Sequence, residues 1–352
     1  MDIKKDFLNN KIVVIGVGGG GSNMVNRLSE ITNIEDKKLN TYVLNTDIQA
    51  LVGHKKNSPT PIQIGKEVTK GLGAGMKPEI GKLAAEESYS EILNIVRDAE
   101  IVFIATGLGG GTGTGAAPVV AKAVAETGGI SISVVTKPFL FEGIKRKKLA
   151  TDGYSELEKY SDIIISVSNE KLLQVIDNNT GIKESFKKID AILANAVNGL
   201  ANVILQNGNM GINLDFADIK TILEYKGKAL IGVANEKVND NEDVAKDVLK
   251  KAIESPLLED TDIKGARGIV VNFTIDEDFP LAKISDAMDI VYETVSSDAI
   301  VMFGIVTNEE KTNEISATVI ITGFSNNNTP ISIDGEAGKE DKTPFKRYEK
   351  IF

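Results

Sequence analysis

Nine residues constrain the fold of this chain most: Gly107-Leu108-Gly109-Gly110-Gly111-Thr112-Gly113-Thr114-Gly115. They follow a short apolar run at 101–105 and precede an Ala- and Val-rich segment with helical spacing. A strand, a glycine loop and a helix start in this order offer free backbone N–H groups and a positive helix end to a phosphate. The glycines leave almost no side chain between backbone and ligand. A flexible linker does not fit between a buried strand and an amphipathic helix.

Two more glycine-rich stretches occur in the same part of the chain, at 16–23 and 71–75. Three glycine-rich turns at strand ends predict one ligand held by several loops, at the edge where parallel sheets bind ligands. Taken alone, Gly16, Gly18 and Gly21 equally suit a Rossmann dinucleotide site, so a dehydrogenase is one alternative. The sequence holds no G-x-x-x-x-G-K-[ST]. The phosphates would therefore be held by backbone amides and a helix dipole, without a P-loop lysine.

Hydrophobic spacing predicts the remaining elements. Short apolar runs predict strands at 11–15, 41–44, 101–105, 130–135, 163–167, 229–233, 267–275, 299–306 and 314–322. One helical face is expected through Ile80, Leu83, Ile92, Ile95 and Val96. The longest helical pattern runs from 185 to 206, and Gly199 inside it indicates close packing at that point. The predicted fold class is α/β: a Rossmann-like parallel-sheet domain that binds nucleotide, a long central helix and a smaller α+β C-terminal domain.

The same pattern gives a domain organisation. The predicted parts are an N-terminal extension (1–10), the nucleotide-binding domain (11–184), the central helix (185–206), a loop with its following helix (207–227), the α+β domain (228–324), a disordered linker (325–340) and a terminal docking peptide (341–352).

Composition excludes several classes of function. The net charge of −10 argues against broad electrostatic binding of nucleic acid. The chain has no cysteine and one histidine, His54, which is expected in a polar surface loop ending near Pro61. Acid–base chemistry must therefore fall mainly to carboxylates or bound water. No signal peptide or membrane span is evident, which predicts a cytoplasmic chain without direct membrane insertion.

The glycine run, continued by Ala116-Ala117-Pro118, resembles the signature of the tubulin/FtsZ family of GTP-binding, polymerising proteins. The resemblance covers about 11–324, and further matching motifs follow in the family's order: 16–23, 45–47, 71–75, 136–139, 213–218, 255–258 and 265–268. It implies a GTPase that polymerises head to tail into filaments forming the cytokinetic ring in bacterial cell division. It also implies GTP or GDP as ligand, with Mg²⁺ held through nucleotide phosphates and water and no direct side-chain ligand assigned.

The resemblance implies a set of GTP contacts. The matched positions are Gly19, Gly20, Gly21, Ser22, Asn23, Asn45, Asp47, Gly73, Ala74, Gly75, Gly107, Gly109, Gly110, Gly111, Thr112, Gly113, Thr136, Pro138, Glu142, Arg146, Asn169, Phe186 and Asp190. Ser22 stands where the family usually has glycine. Phe186 matches the guanine-stacking residue, and Asp190 the acid that accepts hydrogen bonds from the base. From the residues alone, a core aromatic beside a solvated acid is the preferred interpretation of this pair.

The resemblance also implies the catalytic group. Asn213, Asp215 and Asp218 match a loop that reaches the GTP of the next subunit, where its acids position or polarise the attacking water. From the residues alone, an Asp helix cap beside a turn is the preferred interpretation. The segment 207–210 lacks the proline-containing turn expected there, and 224–228 carries more charge than usual. These departures predict an altered contact between subunits or an altered turnover rate, with the same reaction.

The prediction of a binding partner depends on the terminal segment. Pro344, Phe345 and Arg347 loosely resemble the family's peptide for membrane adaptors, which would recruit the chain to the inner face of the membrane at mid-cell. A mild aggregation liability is the alternative for these aromatic residues. For the whole chain two further alternatives stand: a non-catalytic nucleotide-binding structural protein, and a relative used in plasmid partition or cell shape.

Overall fold

The structure is a computed structural model that describes residues 12–31, 39–52, 58–174, 180–205, 227–238, 243–255, 265–308 and 311–323. Its strands are β1 (Ile12–Val17), β2 (Asn40–Asn45), β3 (Thr60–Gln63), β4 (Ile101–Gly107), β5 (Ile130–Lys137), β6 (Ile163–Ser168), β7 (Gly227–Lys237), β8 (Gly268–Asp276), β9 (Ile300–Asn308) and β10 (Glu314–Thr322). Its α-helices are α1 (Gly18–Ile31), α2 (Lys66–Thr69), α3 (Pro78–Glu87), α4 (Tyr89–Val96), α5 (Thr112–Thr127), α6 (Ile144–Glu158), α7 (Asn169–Gln174), α8 (Ile182–Leu205), α9 (Val244–Ile253) and α10 (Leu281–Thr294). Short 3₁₀ turns lie at Gln49–Leu51 and Leu140–Glu142.

The strands of the described residues form one sheet in the order β3-β2-β1-β4-β5-β6-β7-β10-β8-β9. From β3 to the start of β7 every pairing is parallel. Residues 227–229 of β7 pair with β6, and the strand then pairs antiparallel with β10 from Leu230 onward. The predicted fold class is confirmed: an α/β parallel-sheet domain, a long central helix and a smaller α+β C-terminal domain. The domain boundaries themselves stay predictions.

Helices cover both faces of the parallel part of the sheet. On one face Leu28 of α1 and Leu193 and Val197 of α8 are buried against the strands. On the other face α3, α4, α5 and α6 bury a second apolar cluster. The helix α8 has 24 residues and so spans about 36 Å. A Cβ built on Gly199 would lie 3.1 Å from Thr318 Oγ1 of β10, which bears out the predicted close packing there.

The structure differs from the sequence-based expectations at two places and contains one helix that they lacked. The polar stretch ending near Pro61 enters β3, and proline is tolerated there because β3 lies at the edge of the sheet. The helical face through 80–96 is two helices that meet at Ser88, and Leu83 is exposed. The side of α3 that carries small residues, including Gly81, packs against α5, whereas the side that carries Leu83 does not. The helix α6 was not predicted, because its sequence has little apolar periodicity.

No helix in the described part of the chain is both long enough and apolar enough to cross a bilayer. His54, expected in a surface loop, lies outside the described residues.

Candidate nucleotide site

Two helix N-termini meet at the carboxyl edge of the sheet. The helix α1 begins at Gly18, directly after β1, and α5 begins at Thr112, after β4 and its glycine loop. Gly18 has φ +71°, and a Cβ there would lie 2.8 Å from Gly113 N. The first backbone N–H groups of a helix have no partner within the helix, and its N-terminal end is positive. Two such ends in contact form a site for an anion with several charges.

The loop between β4 and α5 is fixed by its own hydrogen bonds. Leu108 N donates to Thr136 O over 2.9 Å, and Gly109 N donates to Thr114 Oγ1 over 2.8 Å. Gly109 has φ +101°, and a Cβ there would lie 2.9 Å from Arg146 O, so a side chain would disrupt the loop. We call the loop 107–111 together with the starts of α1 and α5 the phosphate cradle. Its shape is set before any ligand arrives.

A third segment closes the cradle on the side of β2. Thr46 Oγ1 lies 2.6 Å from Thr112 Oγ1, and Gly73 N donates to Thr46 O over 3.2 Å. A Cβ on Gly111 would lie 2.8 Å from the Ala74 methyl group. The glycine loop 71–75 was expected directly after a strand, but it follows the short helix α2. Backbone bonding to the end of β2 still brings it to the carboxyl edge.

Two kinds of glycine stand at the extremes among those of these loops. A Cβ on Gly16, Gly21 or Gly113 would overlap neighbouring backbone within 2.7 Å. A Cβ on Gly19 or Gly110 would meet no protein atom within 4 Å. The first kind permits helix and strand to pack closely, whereas the second borders open space at the cradle.

This division gives a testable contrast between two neighbouring glycines. Gly21→Ala is expected to lower the free energy of unfolding by about 3 kcal/mol or more, because its Cβ would lie 2.1 Å from Ala105 O. Gly19→Ala should leave unfolding within about 1 kcal/mol of the parent while weakening nucleotide binding. Chemical denaturation and titration with a fluorescent GTP analogue measure the two effects. A Gly21→Ala chain as stable as the parent would contradict the described packing.

The opposite wall of the cradle comes from the β5–α6 connection. Glu142 accepts a hydrogen bond from Arg146, and its Oε1 accepts one from Phe139 N over 2.9 Å. Leu140 N donates to Glu170 Oε1 over 2.6 Å, which ties this turn to α7. The turn therefore holds Glu142 and Arg146 in one arrangement beside the glycine loop.

An aromatic side chain and an acid lie one turn apart on α8. Phe186 is 47% exposed, and its ring meets that of Phe139 edge to face at 5.7 Å. Burial raises the pKa of the Asp190 carboxyl to about 6, and the charge of Arg27 opposes part of that shift. Arg27 also forms an ion pair with Glu30 over 2.6 Å. A half-exposed ring beside a carboxylate suits a flat, hydrogen-bonding heterocycle.

Buried polar atoms mark the same region. Ser22 Oγ and Asn169 Oδ1 are buried without a hydrogen-bond partner among the residues described. Ser22 belongs to the first turns of α1, and Asn169 begins α7 directly after β6. An unsatisfied buried polar group costs about 1–3 kcal/mol, so a ligand that satisfied both would gain affinity.

The structure places the glycine loops, Thr112, Glu142 and Arg146 at the cradle, and Phe186 beside Phe139 on the side of α8. Their roles toward a nucleotide stay predictions. Asn213, Asp215, Asp218 and the segment 341–352 lie outside the described residues. Sequence reasoning missed Arg27, although its place one turn after Asn23 on α1 was a usable signal. It also missed the role of Thr114, whose hydroxyl holds Gly109.

Comparisons with known proteins identify the class. Residues 11–177 match the family model for the Tubulin/FtsZ family, GTPase domain, and residues 227–325 match that for the FtsZ family, C-terminal domain. The cell division protein FtsZ of Helicobacter pylori (strain J99) is 43% identical over 330 residues, which are 93% of this chain and 83% of that protein.

Solved structures agree with these matches. An empty FtsZ dimer from M. jannaschii superposes with a TM-score of 0.81 at 38% identity, covering 92% of each chain. GDP-bound CetZ1 from Haloferax volcanii gives a TM-score of 0.76 at 22% identity, covering 90% of this chain and 95% of that one, and shares the fold. Fold and cradle thus define a GTPase of the tubulin class. Within that class, the chain belongs to the FtsZ family, whose members polymerise into filaments in bacterial cell division.

Proposed function

We propose that this chain binds GTP in the phosphate cradle, polymerises head to tail into filaments of the bacterial division ring, and completes its active site between adjacent subunits. The observation that carries the proposal is the contact of two helix N-termini at one glycine loop, Gly18 against Gly113. That arrangement favours a polyphosphate. The family match separates this function from the Rossmann dehydrogenase that the first glycine loop alone would allow.

The phosphates would be held chiefly by backbone. The N–H groups of 19–21 and 110–113 would be the donors at the cradle, and the Thr112 hydroxyl adds one from a side chain. Ser22 Oγ, buried without a partner among the described atoms, would find one in the nucleotide. On the other wall Arg146 offers a cation and Glu142 a carboxylate for phosphate and ribose.

The guanine base would stack on Phe186, whose ring is exposed beside Phe139. The ionised Asp190 would accept hydrogen bonds from N1–H and the 2-amino group of guanine. Adenine lacks this pair of donors, so Asp190 favours guanine. Asn23 on α1 and Asn169 at the start of α7 would contact ribose or base.

Magnesium fits this site through the nucleotide. The described residues contain no group of three or more Asp, Glu and His that could hold a metal ion. Asp47 stands at the cradle, but its Oδ1 already accepts from Gln49 N over 2.9 Å. As the family resemblance implies, Mg²⁺ would be held by phosphate oxygens and water, which is usual for this ion. When bound, it offsets charge on the β- and γ-phosphates.

Hydrolysis needs a group that positions water, and the carboxylates at the cradle each accept at least one hydrogen bond from their own chain. Asp47 accepts from backbone, and Glu142 accepts from Arg146 and Phe139 N. We assign the water-positioning role to Asp215 and Asp218, with Asn213 beside them, supplied by the next subunit. Phosphoryl transfer depends on positioning and charge stabilisation, so dividing the site makes turnover depend on assembly.

The nucleotide face also has an apolar rim that supports head-to-tail contact. Leu72 is 85% exposed on one side of the cradle, and Phe141 and Ile144 are 75% and 87% exposed on the other. Large exposed apolar side chains grouped around a site are typical of an interaction surface. A contact between two different faces of one chain repeats without closing and forms a filament.

The tail and the location complete the proposal. Pro344, Phe345 and Arg347 would bind membrane adaptors that hold the filaments at the inner face of the membrane at mid-cell. The chain itself would remain cytoplasmic, without nucleic-acid binding or membrane insertion. The net charge of −10 supports the absence of nucleic acid from its partners.

Sedimentation in the presence of nucleotide tests the proposal. We expect the chain to pellet as filaments with GTP and Mg²⁺, to release phosphate at the same time, and to stay in the supernatant with GDP. Filaments without phosphate release would favour a non-catalytic structural protein. Phosphate release without any filament would contradict the divided site.

A further inference from the structure

A cavity of about 660 Å³ lies on the face of the sheet that α3, α4, α5 and α6 cover. It is a groove whose floor is α5, with α3 and the start of α4 on one wall and α6 on the other. We call it the outer groove. Its floor includes Gly115, Pro118 and Val119, and the rings of Tyr89 and Tyr160 line it near the ends of α5 and α6.

Close backbone packing fixes the walls of the outer groove. A Cβ on Gly115 would lie 1.9 Å from Pro78 O of α3. A Cβ on Gly153 of α6 would lie 2.3 Å from the Thr114 methyl group. Both walls therefore rest directly on α5, and the groove is part of the packed domain.

Among the charged side chains that line the groove, one carboxylate on each wall forms no ion pair with a described residue. Lys82 pairs with Glu86, and Glu156 pairs with Lys159, so these groups are largely balanced. Glu79 on α3 and Asp152 on α6 form no ion pair with any described residue, and Lys122 already pairs with Glu126. An apolar floor between two unpaired carboxylates fits an extended peptide with aromatic side chains and two neighbouring cations.

The terminal segment of the same chain has this composition. Residues 341–352 read Asp-Lys-Thr-Pro-Phe-Lys-Arg-Tyr-Glu-Lys-Ile-Phe, with four basic side chains against two acidic ones. Lys346 and Arg347 are adjacent, and neighbouring side chains of an extended peptide point to opposite sides. Each could therefore face one carboxylate of the groove, with Phe345 and Tyr348 flanking them.

The connection is long enough for the segment to come from the same molecule. The last described residue, Gly323, follows β10, where Ile321 pairs with Leu230 of β7. The strand β7 pairs in turn with β6, which follows the end of α6 at the groove. Two strand spacings are about 10 Å. Residues 324–342 can span about 60 Å when extended, well beyond that separation.

We propose that residues 343–352 dock in the outer groove of their own chain, with Lys346 and Arg347 facing Glu79 and Asp152. Tethering would give the segment an effective concentration in the millimolar range, so even weak contacts would fill the groove. The inference concerns binding of the segment outside the nucleotide site, so it can fail while the GTPase proposal holds, and the reverse.

Cysteine cross-linking in the full chain tests it, because the natural chain has no cysteine. Leu149→Cys, in the groove, is paired with Glu349→Cys in the segment. The control pairs Glu349→Cys with Ser155→Cys, on the opposite face of α6. With GDP present and mild oxidation, we expect the groove pair to form a disulfide within one chain about tenfold faster or more.

Reversing the charges of the groove carboxylates distinguishes a disulfide formed by docking from one formed by random collision. Glu79→Lys with Asp152→Lys should remove the advantage of the groove pair, whereas Glu91→Lys with Glu158→Lys, outside the groove, should not. GTP binding by each variant checks that the domain is folded. Equal rates for groove and control pairs would overturn the proposal. A disulfide formed only between two chains would overturn it too, and would place a second copy in the groove.

Discussion

Asp215→Ala is expected to abolish GTP turnover, a loss of roughly 1,000-fold or more, while the affinity for GTP changes little. The phosphate cradle consists of the loop 107–111 and the starts of α1 and α5, and all of these residues belong to the subunit that binds the nucleotide. Asp215 would act on the nucleotide of the neighbouring subunit, so its loss removes water positioning without touching the cradle. Phosphate release and titration with a fluorescent GTP analogue measure the two quantities separately.

Two controls sharpen this result. Asp289→Ala removes an exposed acid from α10 and should leave turnover near that of the parent chain. Mixing Asp215→Ala chains with chains that bind GTP poorly but keep Asp215 should restore part of the activity, because each supplies what the other lacks. Equal loss of binding and turnover in Asp215→Ala would show that Asp215 serves its own subunit's site.

Asp190→Asn is expected to weaken GTP binding roughly 100-fold, since one charge-assisted pair of hydrogen bonds is lost and an amide N–H₂ then faces the 2-amino group of guanine. The same amide can donate to the 2-carbonyl of xanthine. The variant should therefore bind XTP better than GTP, which a merely structural defect would not produce. Glu184→Gln, exposed near the start of α8, is the matched control. Unchanged preference for GTP would remove Asp190 from the base site.

The same carboxyl predicts a pH dependence. Burial raises the pKa of Asp190 to about 6 in the chain without nucleotide, above its ordinary value. GTP binding needs the ionised form, so affinity should fall as pH decreases below 6, by up to about tenfold per unit. The stability of the nucleotide-free chain changes with pH in the opposite direction. The folded state holds this proton more tightly than the unfolded state, so Asp190 favours folding as pH falls from 6 toward 4. In Asp190→Asn both dependences should disappear.

Much of the parallel sheet could be predicted from sequence, because buried parallel strands are continuous apolar runs. The runs at 101–105 and 163–167 lie within β4 and β6. The strand β3 was missed because Pro61 in a polar stretch argues against a strand, and only its place at the sheet edge makes it acceptable. The helix α6 was missed because much of its surface faces solvent, so its sequence carries little periodicity.

The candidate site, like the fold, could be predicted from sequence only in part. Glycine loops indicated a polyphosphate from sequence, since few other structures need so many residues without side chains. Sequence alone could not distinguish Gly21, which packs on Ala105 O, from Gly19, which borders open space. That distinction depends on tertiary contacts. The residues also left Phe186 and Asp190 as a core aromatic and a solvated acid, and their place beside Phe139 and Arg27 follows only from the packing of α8.

GTP turnover per chain, measured with Mg²⁺ over a wide range of protein concentrations, tests the divided active site most directly. The proposal predicts negligible turnover below a threshold concentration and a steep rise above it, because the catalytic acids reach GTP only in a filament. A turnover per chain that does not depend on concentration would show that each subunit hydrolyses GTP alone, and would contradict the assignment of Asp215 and Asp218.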